Sequence, residues 1–398
     1  FDRPVGVILQ QVTATDKFTQ ELRLSSPDND SFEWLLGGFY THEKSAIDPQ
    51  NFVAVEVGTE DPIPEIPLLA DIFLRSKYEE VAAFANATWH VTPRIDLTFG
   101  GRLSRNEQVA SQEIDGYPAL IGAPAVFEDA KSSESVFTYS VAPRYETDDD
   151  TSIYARVATG WRPGGPNVLP RLAPPGTPTS YDADRLTSYE FGLKGDWLNR
   201  RLSLDLSAFY LDWKDIQLFA QVNDVGINAN GGTAVSKGLE FTATARPATG
   251  LTLSLNGAHT DAYLTEDTDP LVGGLDGDPL PYVPKWSLNL NTDYEYPIGA
   301  DGMFFVGGSI SYTSDRSPDF GVRDAEGELI EVPGYTTFDL RTGVETGRWL
   351  VQAYIRNLTN ERGITSLFGT DGASFPNGAA AVGVIRPRTI GLTVGTRL

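Results

Sequence analysis

The sequence predicts an all-β protein, a transmembrane antiparallel β-barrel, and three observations carry that prediction. Apolar and polar residues alternate with a period of two in segments of about 10–16 residues, as in strands with one apolar and one polar face. Short and long connections alternate between these segments. No stretch approaches about eighteen consecutive apolar residues, so a transmembrane helix is excluded, whereas barrel strands need no such run.

Each strand is assigned from its own alternation. In the segment 201–210, for example, Leu202, Leu204 and Leu206 alternate with Ser203 and Asp205. The same pattern repeats along the chain and predicts about fifteen strands. They are expected at about 17–26, 32–44, 77–91, 94–108, 131–147, 150–163, 183–197, 201–213, 231–247, 250–264, 282–296, 302–316, 334–346, 348–359 and 385–398.

The lengths of the connections distinguish the two ends of the sheet. Tight turns at one end and long loops at the other are typical of outer-membrane barrels, with short periplasmic turns and long extracellular loops. A soluble sandwich or propeller also has alternating strands, but it has no reason for this strict order. The short connections are 27–31, 92–93, 148–149, 198–200, 248–249, 297–301 and 347, and the long ones are about 45–76, 109–130, 164–182, 214–230, 265–281, 317–333 and 360–384.

The tryptophans follow the same division. Two aromatic belts, one at each lipid–water interface, would place tryptophan near both ends of the strands. Trp34, Trp89, Trp197 and Trp349 lie near short turns, while Trp161, Trp213 and Trp286 lie near long loops.

Composition excludes several other functions. A net charge of −23 argues against nucleic-acid binding, which needs a basic face. The absence of cysteine excludes a zinc–thiolate site, an iron–sulfur cluster and a cysteine nucleophile. His42, His90 and His259 lie in different predicted strands, so no catalytic or metal cluster is expected. We therefore expect no enzyme activity, no cofactor and no metal centre.

Seven short sequence motifs are distributed along the chain. They are FTQELRL at 18–24, SYEFGLKG at 188–195, AFYLDW at 208–213, KGLEF at 237–241, LPYVPKW at 280–286, NLTNER at 357–362 and PRTIG at 387–391. In their order and spacing these motifs resemble the barrel of TonB-dependent outer-membrane receptors, and the resemblance covers nearly the whole chain. One departure is the final residue, Leu398, where the family usually ends on an aromatic residue.

The resemblance implies a 22-stranded barrel, an N-terminal plug and a segment that binds the energising TonB protein. Counting strands back from the end, we expect residues 1–398 to be the C-terminal portion of the barrel domain, with the plug and first strands outside this chain. Residues 1–16 would then belong to an extracellular loop. The N-terminus has no basic region followed by an apolar one, so it is not expected to be a signal peptide.

The function implied by the resemblance is TonB-energised uptake of a scarce nutrient across the outer membrane of a Gram-negative bacterium. Ferric siderophores are the usual substrates, and cobalamin or oligosaccharides are alternatives. Expected partners are the TonB complex through the plug, outer-membrane lipid and lipopolysaccharide, and the ferric siderophore or a similar ligand. Two other hypotheses stay open: a passive porin of about sixteen strands, with residues 1–11 supplying one more strand, and a soluble surface-binding β-domain.

Two sets of charged residues are candidates for function. If Leu204, Leu253, Leu290 and Leu340 face lipid, the polar residues that alternate with them line the lumen, where they would contact a plug or a solute. The competing interpretation is that these residues only form a generic hydrated lining of the lumen. The lumen-facing candidates are Glu190, Lys194, Asp205, Glu240, Asp293, Asp339, Arg341 and Arg356.

The long loops carry about −17 of the total charge of −23. This acidity predicts mobile loop tips, a preference for neutral or cationic substrates, and bridging by calcium in the loops around 266–278 and 324–331. The acidic loop lacks the spacing of an EF-hand, so a solvated rim is the competing interpretation. The extracellular-loop candidates are Trp161, Arg162, Glu266, Asp267, Asp269, Asp276 and Asp278.

Overall fold

The fold comes from a computed structural model of the chain. The part that it describes contains only strands, turns and irregular segments. No helix in this part has the length and hydropathy needed to cross a bilayer. The described residues are 5–66, 68–117, 125–167, 177–222, 225–320, 323, 327–368 and 381–396.

One antiparallel sheet of 15 strands makes up most of the structure. Six short strands in the loops complete the numbering. In chain order the strands are β1 (Val5–Ser25), β2 (Phe32–Glu56), β3 (Ala70–Thr92), β4 (Ile95–Gly116), β5 (Ala125–Asp148), β6 (Thr151–Arg162), β7 (Gly165–Pro166), β8 (Ser180–Tyr181), β9 (Asp184–Trp197), β10 (Leu202–Lys214), β11 (Gln217–Val222), β12 (Val225–Asn230), β13 (Ala234–Ala248), β14 (Leu251–Leu264), β15 (Trp286–Ile298), β16 (Gly302–Thr313), β17 (Tyr335–Thr346), β18 (Trp349–Arg356), β19 (Ile364–Phe368), β20 (Ala381–Val384) and β21 (Thr389–Thr396).

The sheet follows chain order from β1 to β21, with each strand hydrogen-bonded to the next long strand. Each of the 15 predicted segments corresponds to one strand of the sheet, so the predicted fold class is confirmed. Among the described residues, β1 pairs only with β2 and β21 only with β18. The sheet therefore has two open edges there, as expected for fewer strands than a closed barrel of this family requires.

The first five strands are longer than predicted. Val5–Asp16, expected in a loop, continues β1 and pairs with β2, for example Asp16 with Lys44 and Gln10 with Asn51. Because both faces of this extension carry polar residues, the period-two signal vanishes although backbone pairing continues. The long loop expected at 45–76 shrinks accordingly to 57–69. Residues 1–4 and the terminal Leu398 lie outside the described residues.

Alternation gives the sheet one apolar and one polar face. Leu206 of β10 lies opposite Phe241 of β13 on the apolar face, and Leu340 there is 49% exposed. Asp205 lies opposite Lys194 of β9 on the other face. The exposed apolar side chains meet lipid in a barrel wall, and the polar face lines the lumen.

Six of the seven tryptophans lie on the outer face, as two aromatic belts require. At the short-turn end, Trp89 and Trp349 are each 50% exposed. At the long-loop end, Trp286 is 41% exposed and stacks edge-on against His259, with ring centroids 4.6 Å apart. Trp213 is the exception, because its indole N–H bonds Asp184 on the inner side. Its assignment to a belt was wrong.

The long loops are packed structures. Loops 214–230, 164–182 and 360–384 each contain a small two-stranded ribbon. A buried apolar cluster joins three loops above β10, β13 and β14. It contains Ile216, Ala220, Ile227, Ala229, Ala234, Ala262, Leu264, Val272, Leu280 and Phe320.

The assigned faces lead to a prediction for one pair of substitutions on β14. Leu253→Lys places a charge against hydrocarbon and should lower the free energy of unfolding by about 2–4 kcal/mol. Asn256→Lys on the polar face should change it little. Urea unfolding in lipid vesicles measures both, and equal losses would contradict the facing of β14.

Candidate functional site

Four of the predicted lumen residues lie together on β9, β10 and β13. Lys194 Nζ is 2.8 Å from Asp205 Oδ2, and its ammonium lies over the ring of Tyr154, 5.6 Å from the centroid. The Tyr154 hydroxyl donates to Glu190 Oε1. With Glu240, these side chains line an open cavity of about 500 Å³.

The other four predicted residues form a second group on β15, β17 and β18. Arg341 Nη2 donates to Asp293 Oδ1 two strands away. Asp339 Oδ1 accepts a hydrogen bond from the backbone N–H of Asn357 at 2.8 Å. The Arg356 guanidinium lies 5.1 Å from the centroid of the Tyr354 ring. All four line a cavity of about 330 Å³.

The Arg341–Asp293 pair depends on a glycine between its partners. Register places Gly307 of β16 directly between the two residues. A Cβ atom there would lie 2.2 Å from Asp293 Oδ1 and 3.0 Å from Arg341 Nε. The missing side chain therefore lets the arginine cross β16 and reach the carboxylate.

The two groups offer fixed charges and hydrogen-bonding groups along a wet wall. In the described residues, no three histidine, aspartate or glutamate side chains are arranged to hold a metal ion. This arrangement suits contact with a polar solute or a polar protein surface through hydrogen bonds and ion pairs.

The predicted loop residue Arg162 belongs to a cluster of side-chain contacts at the long-loop end of the sheet. It ends β6, and its guanidinium lies between the Trp213 ring, 4.9 Å from the centroid, and the carboxylate of Asp184. Asp184 is 1% exposed and accepts hydrogen bonds from Arg162 Nε at 2.7 Å and Trp213 Nε1 at 3.0 Å. Trp161, its neighbour, lies on the outer face.

Sequence reasoning missed Asp184, because an aspartate at the start of a strand gives no signal of burial. It also missed Gln217, whose side-chain amide donates to the carbonyls of Pro163 at 3.0 Å and Asp182 at 3.1 Å. Glu134 on the inner face of β5 accepts from the backbone of Gly164, at 3.2 Å. These bonds fold the described ends of the loop between β6 and β9 against the wall.

The acidic loop after β14 is ordered by its own carboxylates. Asp267 accepts from the backbone N–H of Asp276 at 2.8 Å, and Asp269 from that of Leu271 at 2.9 Å. Asp278 accepts from Leu275 N at 2.7 Å and pairs with Arg323. These hydrogen bonds give the loop a defined backbone conformation, and the mobility of its tip stays a prediction.

Glu266 begins the acidic loop, and its carboxylate lies beside Gly232. Because the carboxylates of Asp267, Asp269 and Asp278 already accept backbone N–H groups, calcium is not needed to explain their order. Residues 324–326, part of the second loop for which calcium was expected, lie outside the described residues.

The fold and its two faces define an outer-membrane β-barrel wall. The chain belongs to the TonB-dependent receptor family, because the sequence model of that family, described as "TonB dependent receptor-like, beta-barrel", matches residues 5–358. Proteins of this family lie in the bacterial outer membrane, which is also the location of this chain. Its short turns are periplasmic and its long loops extracellular.

Individual relatives agree with this family. The chain is 27% identical over 338 residues to the pesticin receptor of Yersinia pestis, covering 83% of this chain and 45% of the relative. It is 27% identical over 216 residues to the metal-pseudopaline receptor CntO of Pseudomonas aeruginosa, covering 54% of this chain and 28% of that protein. The chain therefore spans less than half the length of these relatives.

Solved structures share the fold. The ferric yersiniabactin uptake receptor FyuA from Yersinia pestis superposes with a TM-score of 0.80 at 21% identity, covering 98% of this chain and 55% of that one. The ferric-catecholate import receptor Fiu from E. coli in its closed form gives 0.70 at 18% identity, covering 97% and 55%. The 15-stranded sheet is thus a barrel wall of the kind found in these receptors.

The cross-strand pair predicts that Gly307→Ala is costly. The new methyl group would push Arg341 away from Asp293, and overpacking of this kind lowers the free energy of unfolding by about 1–3 kcal/mol. Gly160→Ala is the matched control, because a Cβ at that strand position meets nothing within 4 Å. Urea unfolding should separate the two variants, and equal values would refute the role of Gly307.

The buried carboxylate predicts local opening in Asp184→Ala. Without Asp184, the arginine and indole lose their shared acceptor, so amide hydrogen exchange at Arg162 and Gln217 should accelerate roughly tenfold or more. Asp182→Ala is the control, since the hydrogen bonds of Asp182 in the described structure use its main chain. Unchanged exchange in Asp184→Ala would mean that other contacts hold the loop.

Proposed function

We propose that this chain is part of the barrel of a TonB-energised receptor that imports a ferric siderophore. The observation that carries the proposal is the open 15-stranded sheet with a polar inner face and two charged groups on it. Family membership supports the same conclusion.

The two open edges support further strands in the complete barrel. Hydrocarbon does not tolerate rows of unpaired N–H and C=O groups, so β1 and β21 need partners. The relatives are about twice as long as the part of them that this chain matches. We propose that additional strands close the barrel and that a plug fills its lumen, leaving residues 1–398 as the C-terminal portion of the barrel domain.

A passive porin of sixteen strands has less support. That hypothesis required residues 1–11 to supply a separate strand, but Val5–Gln11 is the first part of β1. The described chain therefore offers no sixteenth strand for the sheet. A soluble surface-binding domain has less support still, because the apolar outer face of the sheet would then meet water.

The ligand class rests on relatives and on charge. The names of FyuA and Fiu refer to ferric siderophores, and CntO is named for a metal–pseudopaline complex. An acidic mouth favours neutral or cationic complexes over polyanionic ones. Ferric yersiniabactin is the first ligand to test, and cobalamin and oligosaccharides are the alternatives.

Uptake of radioactive iron tests the proposal. The complete gene is expressed in an enteric host that lacks its own siderophore receptors, and ferric siderophores are supplied one at a time. We expect uptake of at least one ferric siderophore, and we expect deletion of the host TonB protein to abolish it. Uptake that persists without TonB would favour a passive pore. Uptake of cobalamin or oligosaccharide alone would show that the substrate is not a ferric siderophore.

A further inference from the structure

A row of charged side chains crosses β3, β4 and β5 at their periplasmic ends. Register places His90 of β3 directly opposite Asp96 of β4, and Asp96 directly opposite Arg144 of β5. Trp89, the residue before His90, lies on the outer face in the aromatic belt, so His90 and its partners lie on the inner face. The row therefore faces the lumen beside the tight turn at residues 93–94, on the periplasmic side of the apolar band.

The charges along this row alternate in sign when His90 is protonated. His90 Nδ1 is 2.7 Å from Asp96 Oδ1, and His90 Nε2 is 3.8 Å from Glu33 Oε1 of β2. Arg144 Nη2 is 2.8 Å from Asp96 Oδ2 and 2.7 Å from Glu146 Oε1. We call Glu33, His90, Asp96, Arg144 and Glu146 the rim row. These contacts join four neighbouring strands, β2 to β5, through one histidine and one arginine.

The backbone ladder is interrupted beside His90. Pairing between β3 and β4 shifts register between His90 and Thr92, where a β-bulge precedes the turn. A bulge leaves one residue unpaired and locally disrupts the ladder of hydrogen bonds. On its other side, the His90 N–H donates to the Ser31 carbonyl at 3.0 Å, just before β2. Side-chain contacts therefore contribute to the order of a hairpin end that its backbone pairing holds incompletely.

The protonation of His90 decides the charge balance of the rim row. With the imidazolium, two cations face three carboxylates, whereas with the neutral imidazole Arg144 alone faces them. The hydrogen bond to Asp96 raises the pKa of the His90 imidazole above its ordinary value, and the charge of Glu33 acts in the same direction. The other charged residues, on the two adjoining turns, are Asp28, Asp30 and Arg94.

The direction of the pH effect follows from this raised pKa. A group whose pKa is higher in the folded state stabilises that state fully at pH values below its ordinary pKa, which is about 6.5 for histidine. The contribution is lost as the pH rises through the raised pKa of His90. The contacts of His90 are therefore strongest in mildly acidic solution and weakest in alkaline solution.

We propose that the rim row is a pH-sensitive clamp on the periplasmic end of the β3–β4 hairpin. In a mildly acidic periplasm, the protonated His90 lies between Glu33 and Asp96 and holds the hairpin end against β2. In an alkaline periplasm the imidazole is neutral, the two carboxylates repel each other, and the hairpin end opens locally beside the bulge. The clamp thus couples the order of this part of the rim to pH, whichever solute the receptor carries.

Hydrogen–deuterium exchange of the complete receptor in lipid vesicles tests the clamp. Amide protection of residues 86–99 is measured at about pH 5.5 and pH 8.5 and corrected for the intrinsic effect of pH on exchange. Protection should be roughly two- to fivefold lower at the higher pH, as expected for a partly exposed ion pair. His90→Gln removes the charge and should show the lower protection at both pH values. His90→Lys keeps a charge at both and should keep the higher protection.

His42→Gln is the matched control, because His42 also contacts a carboxylate on a neighbouring strand, with Nδ1 2.9 Å from Glu79 Oε1, but farther toward the long-loop end. This variant should keep the pH dependence of residues 86–99. Equal protection of these residues at both pH values in the native receptor would overturn the proposal. A pH dependence that persists in His90→Gln would also overturn it, because another group would then be responsible.

Discussion

The structure depends on one constraint: in hydrocarbon every backbone N–H and C=O must be hydrogen-bonded to a neighbouring strand. This requirement keeps 15 strands paired in chain order and leaves no freedom of register within the membrane. Fixed register in turn fixes the faces, because successive side chains point to opposite sides. The lipid-facing leucines and the polar lumen are consequences of the same ladder of bonds.

Register also explains how distant residues meet on the inner wall. Arg341 and Asp293 lie on strands separated by β16, and they touch only because Gly307 stands between them. At the mouth, Asp184 is enclosed by an arginine at the end of β6 and a tryptophan at the end of β10. The first contact crosses an intervening strand, and the second joins side chains from three neighbouring strands, β6, β9 and β10.

The sequence predicted the strands within the membrane well, because there one face must be apolar and the other polar. It failed for Val5–Asp16, where water reaches both faces and alternation has no cause. The eight lumen candidates followed from alternation alone, but their division into two groups needed the register. Asp184 and Trp213 could not be paired from sequence, since their contact depends on the register between β9 and β10.

Because the strands differ in length, the height of the described barrel wall varies from one part of the sheet to another. β2 has 25 residues and β18 has 8, so the described wall stands high over β1 to β5 and low over β17 to β21. Strands β1 to β5 therefore extend the described wall farther beyond the bilayer than β17, β18 and β21 do. On the side of the long strands, the wall outside the membrane is held by backbone pairing between strands, because the sheet of β1, β2 and β3 continues there.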